Sequence, residues 1–273
     1  MKRIGTLVAA ALCWALAAAS AVAQPAASRL EIAGSTTMAP MVTALSKRFM
    51  QLHPGVTVEI RLGGSSRGVE ETRRGMAHIG MVARALTEAE GDLTGFPIAR
   101  DAVALLVHAD NPVRQIRSAQ LRDIYTGRIT RWEQLGGNPG PITVISRDKG
   151  RGALEVFAQH FGFKEGEIKA DKTFGDNAVL IDALRDDPRA IAMYSLGDAL
   201  RLAKRGVPIR LLSIDGTAAT AQSVRSGNYP LLRPLTLVTS RLPQGTTKKF
   251  VDFCLSGEAS AIVIASDFVA YLD

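Results

Sequence analysis

The sequence predicts an α/β protein built as two lobes with a cleft between them. Three observations predict it. Strand-like and helix-like segments alternate from residue 29 to the C-terminus. An Asn111-Pro112 step after a long apolar run reads as a crossover between lobes, with Ile209 to Leu212 as a return path. Three stretches rich in Ser, Thr, Gly and Arg each fall where a strand should hand over to a helix, the position at which open α/β sheets bind ligands.

Taken in order, Arg29 to Ala33 alternates as a short strand, and Val42, Leu45, Phe49 and Leu52 then recur at helical spacing. Pro54-Gly55 breaks the helix, and Val56, Val58, Ile60 and Leu62 alternate as a second strand. A polar helix runs through Glu70, Glu71, Arg73 and Arg74, followed by an apolar strand from Ala77 to Val82. Ala102 to His108 is continuously apolar and reads as a buried strand. Beyond the crossover come a helix from Ser118 to Tyr125, a loop through Trp132, and a strand from Ile142 to Ser146. Helices at 153–161 and 178–184, a strand at 190–194 and a helix opening at Ser195-Leu196-Gly197-Asp198 complete the second lobe. Leu235 to Thr239 is a strand before helices at 246–255 and 259–265.

The three helix-start stretches are Gly34-Ser35-Thr36-Thr37, Gly63-Gly64-Ser65-Ser66-Arg67-Gly68 and Ser146 to Gly152. The first N–H groups of a helix have no intrahelical acceptor and sit at the positive end of its dipole. Hydroxyls and a guanidinium added there make an anion socket. Each stretch alone is also explained by helix capping, and Arg147 alone by a surface ion pair. Three in one chain suggest one anion held between convergent helix starts.

The N-terminus reads as a targeting segment. Lys2 and Arg3 precede an apolar run from Leu7 to Ala19, and Ala21-Val22-Ala23 is a small-x-small cleavage site, so residues 1–23 are expected to be a secretory signal peptide. The run is short for a bilayer span. Loss of Lys2 and Arg3 takes two from the net charge of +7 and leaves +5, an excess suited to small anions. No basic cluster with base-reading side chains accompanies it, and aromatics are 5% of the chain, so nucleic acid is not an expected partner. Cys254 is the one cysteine beyond residue 23, and a buried, inert thiol is expected.

Catalytic patterns are weak. His53, His78, His108 and His160 have no metal-ligand spacing, so no metal is expected. There is no G-x-S-x-G elbow and no G-K-[ST] for a nucleotide. Ser146-x-x-Lys149 matches the S-x-x-K of acyl enzymes without the accompanying S-D-N or K-T-G. The chain is read as a non-enzyme without a cofactor.

Residues 34–40 (Gly-Ser-Thr-Thr-Met-Ala-Pro), 64–69 (Gly-Ser-Ser-Arg-Gly-Val), 80–86, Tyr125-Thr126-Gly127 with Trp132, Arg147 to Gly152, 190–197 and 227–235, in this order and spacing, resemble the phosphate-binding subunits of bacterial ABC importers, within the type II periplasmic binding-protein superfamily. The resemblance implies two lobes, each a mixed sheet flanked by helices, with hinge strands between: lobe I over 29–108 plus 214–273, lobe II over 109–213. It implies a periplasmic monomer that captures phosphate, or a related oxyanion, and delivers it to an inner-membrane ABC permease. Ser35, Thr36, Thr37, Ser65, Ser66, Arg84, Arg147, Arg151 and Gly152 are the expected ligand-binding residues. The chain departs from the family pattern at Gly150-Arg151-Gly152-Ala153, where members usually read Gly-Ser-Gly-Thr, and at Ala83, where many carry a carboxylate or hydroxyl. A secreted interaction or sensor protein with the same fold, holding another anion or none, is the competing expectation.

Overall fold

The computed structural model describes residues 28–164 and 166–271; the signal-peptide expectation for 1–23 lies outside them. In chain order the elements are β1 (Ser28–Gly34), α1 (Ala39–Leu52), β2 (Val56–Leu62), α2 (Ser65–Arg73), β3 (Ile79–Val82), β4 (Thr94–His108), β5 (Gln115–Ile116), α3 (Ser118–Tyr125), β6 (Thr143–Arg147), α4 (Gly152–Phe161), β7 (Lys172–Phe174), α5 (Asn177–Arg185), β8 (Ala190–Ser195), α6 (Leu196–Lys204), β9 (Ile209–Leu211), β10 (Ser213–Ile214), α7 (Ala221–Arg225), β11 (Leu232–Thr239), α8 (Gly245–Cys254), α9 (Gly257–Ala265) and β12 (Val269–Ala270). Single 3-10 turns lie at Glu88–Glu90 and Trp132–Leu135.

The main sheet runs β2-β1-β3-β11-β4-β8-β6-β7. Its first three strands are parallel, as expected where helices α1 and α2 cross between them. β11 enters antiparallel between β3 and β4. β4 then changes partners along its length: Thr94 to Ala102 pair with β11, and Val103 to Val107 pair with β8. β8, β6 and β7 are the parallel strands of the other half. The two-lobed, mixed-sheet architecture that the sequence predicts is therefore the one the chain adopts.

The two larger hydrophobic cores lie on either side of that change. One gathers Leu30, Ile32, Leu45, Phe49, Ile79, Leu235, Phe250 and Val263. The other gathers Val103 to Val107, Leu121, Tyr125, Trp132, Phe157, Leu180 and Ile191, and it also takes in Val224, Tyr229 and Leu231 from the stretch before β11. α1 turns its Met41, Val42, Leu45 and Phe49 stripe into the first core and tolerates Pro40 in its first turn, where no intrahelical N–H bond is lost. In the second lobe Asp176 caps α5 by accepting from the Ala178 and Val179 amides (2.7 and 3.1 Å), and Ser195 caps α6 by accepting from the Asp198 amide (3.3 Å).

β4 begins eight residues earlier than the apolar run from Ala102 suggests. Pro97, Arg100 and Asp101 interrupt the hydrophobic pattern, yet the backbone stays extended because β11 lies against it. Asp101 is tolerated there because its charge is met: Arg233 of β11 donates to Asp101 Oδ2 (2.8 and 3.1 Å), Ser195 Oγ donates to the same oxygen (2.9 Å), and the Gly197 amide donates to Oδ1 (3.0 Å). Arg233 and Asp101 side chains are 0% and 1% exposed. Cys254 is buried, and that burial pushes its thiol pKa up, as expected of an inert thiol. Among the described residues no helix is long and apolar enough to cross a membrane.

Candidate functional site

Five strand-to-helix transitions meet where the lobes face each other. Together they line one small cavity. Its walls are Ser35, Thr36 and Thr37 after β1, Gly64 before α2, Arg147, Arg151, Gly152 and Ala153 between β6 and α4, Asn177 at the start of α5, and Tyr194 and Ser195 at the end of β8.

Arg147 dominates the electrostatics. It sits at the last position of β6, 4% exposed, and forms no ion pair with a carboxylate of the described residues. Its Nη2 donates to Asn177 Oδ1 (2.6 Å) and the Gly175 carbonyl (3.1 Å), and Nη1 reaches the Asp176 carbonyl at 3.5 Å. Burial, reinforced by Arg151 and Arg233 nearby, lowers its pKa to about 10. The group stays charged at neutral pH, so a buried positive charge faces the cavity with no carboxylate of the described residues in ion-pair contact. Arg151 adds to it: its Nη1 is buried and has no hydrogen-bond partner among the described residues. Gly152 and Ala153 open α4 beside it, with first-turn amides that have no intrahelical acceptor. Arrangements with uncompensated guanidiniums and free amides favour an anion.

The first-lobe hydroxyls converge on the same point. Ser35 Oγ accepts from the Met38 amide (3.4 Å), which fixes the hydroxyl at the cavity wall. Thr37 Oγ1 accepts from Arg233 Nη2 (3.3 Å), and Thr36 Oγ1 donates across the cleft to Asn177 Oδ1 (3.4 Å).

Ser65, Ser66 and Arg84 occupy other positions. Ser65 is fully buried behind the wall, where its Oγ accepts from the Ala83 amide (3.0 Å). Ser66 and Arg84 instead join the lobes outside the cavity. The Ser66 amide donates to the Gly150 carbonyl (3.3 Å), and its Oγ donates to Glu155 Oε1 (2.5 Å). Arg84 donates to Glu155 Oε2 (2.7 Å) and holds Glu90 through two parallel bonds (2.7 and 2.8 Å). Glu155 on α4 is thus gripped by two residues of the opposite lobe, so the molecule described here is closed.

Closure depends on a glycine. Gly64 has φ +101°, and a Cβ there would lie 2.6 Å from the Gly150 carbonyl oxygen across the cleft. Gly64→Ala therefore carries both a left-handed backbone and an interlobe clash, and such strain is typically about 1–3 kcal/mol. The expected outcome is an anion affinity weaker by about tenfold or more with near-unchanged circular dichroism; titration calorimetry on the variant checks it.

Asn177, Tyr194 and Ser195 line the cavity although their own stretches hold no run of hydroxyls and glycines. Ser195-Leu196-Gly197-Asp198 carries a helix-start signal, and that signal leads to Ser195. Asn177 follows the Asp176 cap, and only the fold brings it to Arg147.

The chain matches the family model described as the PBP superfamily domain over residues 19–258. It is 28% identical over 246 residues to the phosphate-binding protein PstS of Bacillus subtilis, an alignment covering 88% of this chain and 80% of that one. The PstS of Borreliella burgdorferi is 25% identical over 253 residues, covering 88% of this chain and 89% of that one. Among solved structures, a phosphate-bound protein of Clostridium perfringens assigned to ABC transport superposes with a TM-score of 0.81 at 32% identity, over 89% of this chain and 99% of that one. Since the family model spans most of the sequence and the two-lobed architecture accompanies it, this chain belongs to the PBP superfamily, in the family of ABC-transporter substrate-binding proteins.

Proposed function

We propose that this protein captures phosphate, or a closely related oxyanion, in the interlobe cleft and hands it to an inner-membrane ABC permease. The observation that carries the reading is Arg147, a buried guanidinium with no carboxylate partner that faces the same cavity as Ser35, Thr36 and Thr37. The names of the relatives from Bacillus subtilis and Borreliella burgdorferi support phosphate as the guest. In this reading Ser35, Thr36, Thr37, Arg147, Arg151 and Gly152 touch the anion, while Ser65, Ser66 and Arg84 shape and latch the cleft around it. The bounds expected from the sequence, 29–108 plus 214–273 for lobe I and 109–213 for lobe II, shift in this reading to a break within β4 and a return near Leu232, because Val103 to Val107 and Val224, Tyr229 and Leu231 pack in the second core. The reading includes export to the periplasm as a monomer, binding without covalent chemistry, and no nucleic-acid partner.

Closing the lobes removes water, which strengthens each charge-assisted hydrogen bond. Such bonds contribute about 1.5–3 kcal/mol each, and anion desolvation with lobe ordering offsets much of the sum. The expected dissociation constant for phosphate is micromolar or tighter, about −8 kcal/mol or better. Isothermal titration of the purified protein measures it directly. Absence of binding to phosphate and to every other small oxyanion tested would defeat the reading.

A further inference from the structure

The closed cleft sets two helix starts against each other. α2 brings its first turn, with Ser65 and Ser66, from lobe I, and α4 brings Gly152 to Glu155 from lobe II. The Ser66 amide donates to the Gly150 carbonyl just before α4 (3.3 Å), so the two starts are in contact. Each carries the positive end of its helix dipole. Arg84 is buried at the same junction, and Arg151 is the residue before α4. Shutting the lobes therefore brings positive groups of both lobes together.

One carboxylate sits among them. Glu155 lies in the first turn of α4, where a negative charge favours its own helix. α2 has no acidic residue in its own first turn and no side-chain cap. The carboxylate at its start is Glu155, whose Oε1 accepts from Ser66 Oγ (2.5 Å). Glu155 Oε2 accepts from Arg84 Nε (2.7 Å). Glu90 orients that guanidinium by holding both terminal nitrogens (2.7 and 2.8 Å), which leaves Nε for the opposite lobe. Glu90 and Arg84 belong to the same lobe, so their pair does not depend on closure, whereas the bonds to Glu155 exist only in the closed form. Glu155 is not among the walls of the cavity.

We propose that Glu155 is a resident counter-anion of the closed interface, a positioning residue that does not touch the guest and sets how long the cleft stays shut. It offsets the repulsion between the facing helix starts and Arg84 from the side, as the guest offsets it from within. Capture takes place in the open cleft, where Glu155 makes neither contact, so loss of its charge changes escape and not encounter. The proposal rests on the reading of the cleft as an anion site and adds the residue that governs release.

Glu155→Gln tests it. The amide keeps an acceptor for Ser66 or Arg84 and loses the charge, and Arg84 keeps Glu90, so no buried charge is orphaned. Stopped-flow measurement of phosphate binding and release gives both rate constants. The expected result is dissociation about five- to tenfold faster, association within about twofold of wild type, and a Kd weaker by the same factor as the dissociation rate. Ser66→Ala should shift dissociation in the same direction by less. An unchanged dissociation rate in Glu155→Gln overturns the proposal, and so does a loss carried by slower association, which a merely structural defect would produce. Small-angle X-ray scattering of the guest-free proteins supplies a readout independent of the anion: Glu155→Gln should have a larger radius of gyration than wild type. If wild type binds no phosphate, the anion site falls on that result alone, and equal radii then overturn the counter-anion separately.

Discussion

Replacing Arg147 by Met is expected to weaken phosphate binding by roughly ten- to hundred-fold, the equivalent of one charge-assisted contact of about 1.5–3 kcal/mol. The expectation follows from three observations. The guanidinium is buried, it has no carboxylate partner among the described residues, and its Nη2 bonds to Asn177 and the Gly175 carbonyl anchor it at the cavity wall. Arg147→Lys keeps the charge but loses the planar fork, so it should fall between the wild type and Arg147→Met. Calorimetric titration of the three proteins provides the order. Because the Gly175 and Asp176 carbonyls lose a donor in the Met variant, urea denaturation belongs beside the titration. Equal phosphate affinity in wild type and Arg147→Met would remove this residue from the binding set.

The largest loss of stability is expected at Asp101→Ala. That change leaves Arg233, whose side chain is fully buried, as an uncompensated charge, and it strips Ser195 Oγ and the Gly197 amide of their acceptor. Removing one partner of a buried pair typically costs about 3–5 kcal/mol. Binding should also fall, because Arg233 holds Thr37 and the Ala83 carbonyl at the back of the cavity. The double change Asp101→Leu with Arg233→Met removes both charges and should recover much of the stability, but not the affinity. Chemical unfolding curves of the single and double variants decide this. A single variant within about 1 kcal/mol of wild type would show that solvent reaches Arg233 after all.

Much of this was legible in the sequence, since local pattern carries it. The α1 stripe at Val42, Leu45 and Phe49, the alternation of β2 and the Gly-Ser-Thr-Thr turn all speak through neighbours a few residues apart. Four things were not. The early start of β4 is hidden because Asp101 looks like a loop residue until Arg233, distant along the chain, neutralises it. The packing of Val224 and Tyr229 on the second core depends on where the chain returns, which no local period encodes. Arg84 reads like an anion ligand from its position after β3, yet Glu90 and Glu155 converge on it from two different elements. Asn177 and Tyr194 are ordinary residues of a helix start and a strand end, and only the arrangement of β6, β8 and α5 makes them a wall.

The partner exchange along β4 has a mechanical meaning. One unbroken strand belongs to the ladders of both halves, with no loop between Ala102 and Val103 to absorb extension. A joint of that kind transmits pull rigidly and yields only to torsion, so the jaws can swing but cannot drift apart. The residence time of the guest is then governed by angular excursions about the strand's midpoint. The grip of Arg84 and Ser66 on Glu155, which ties one lobe to the other outside the cavity, is placed to resist them.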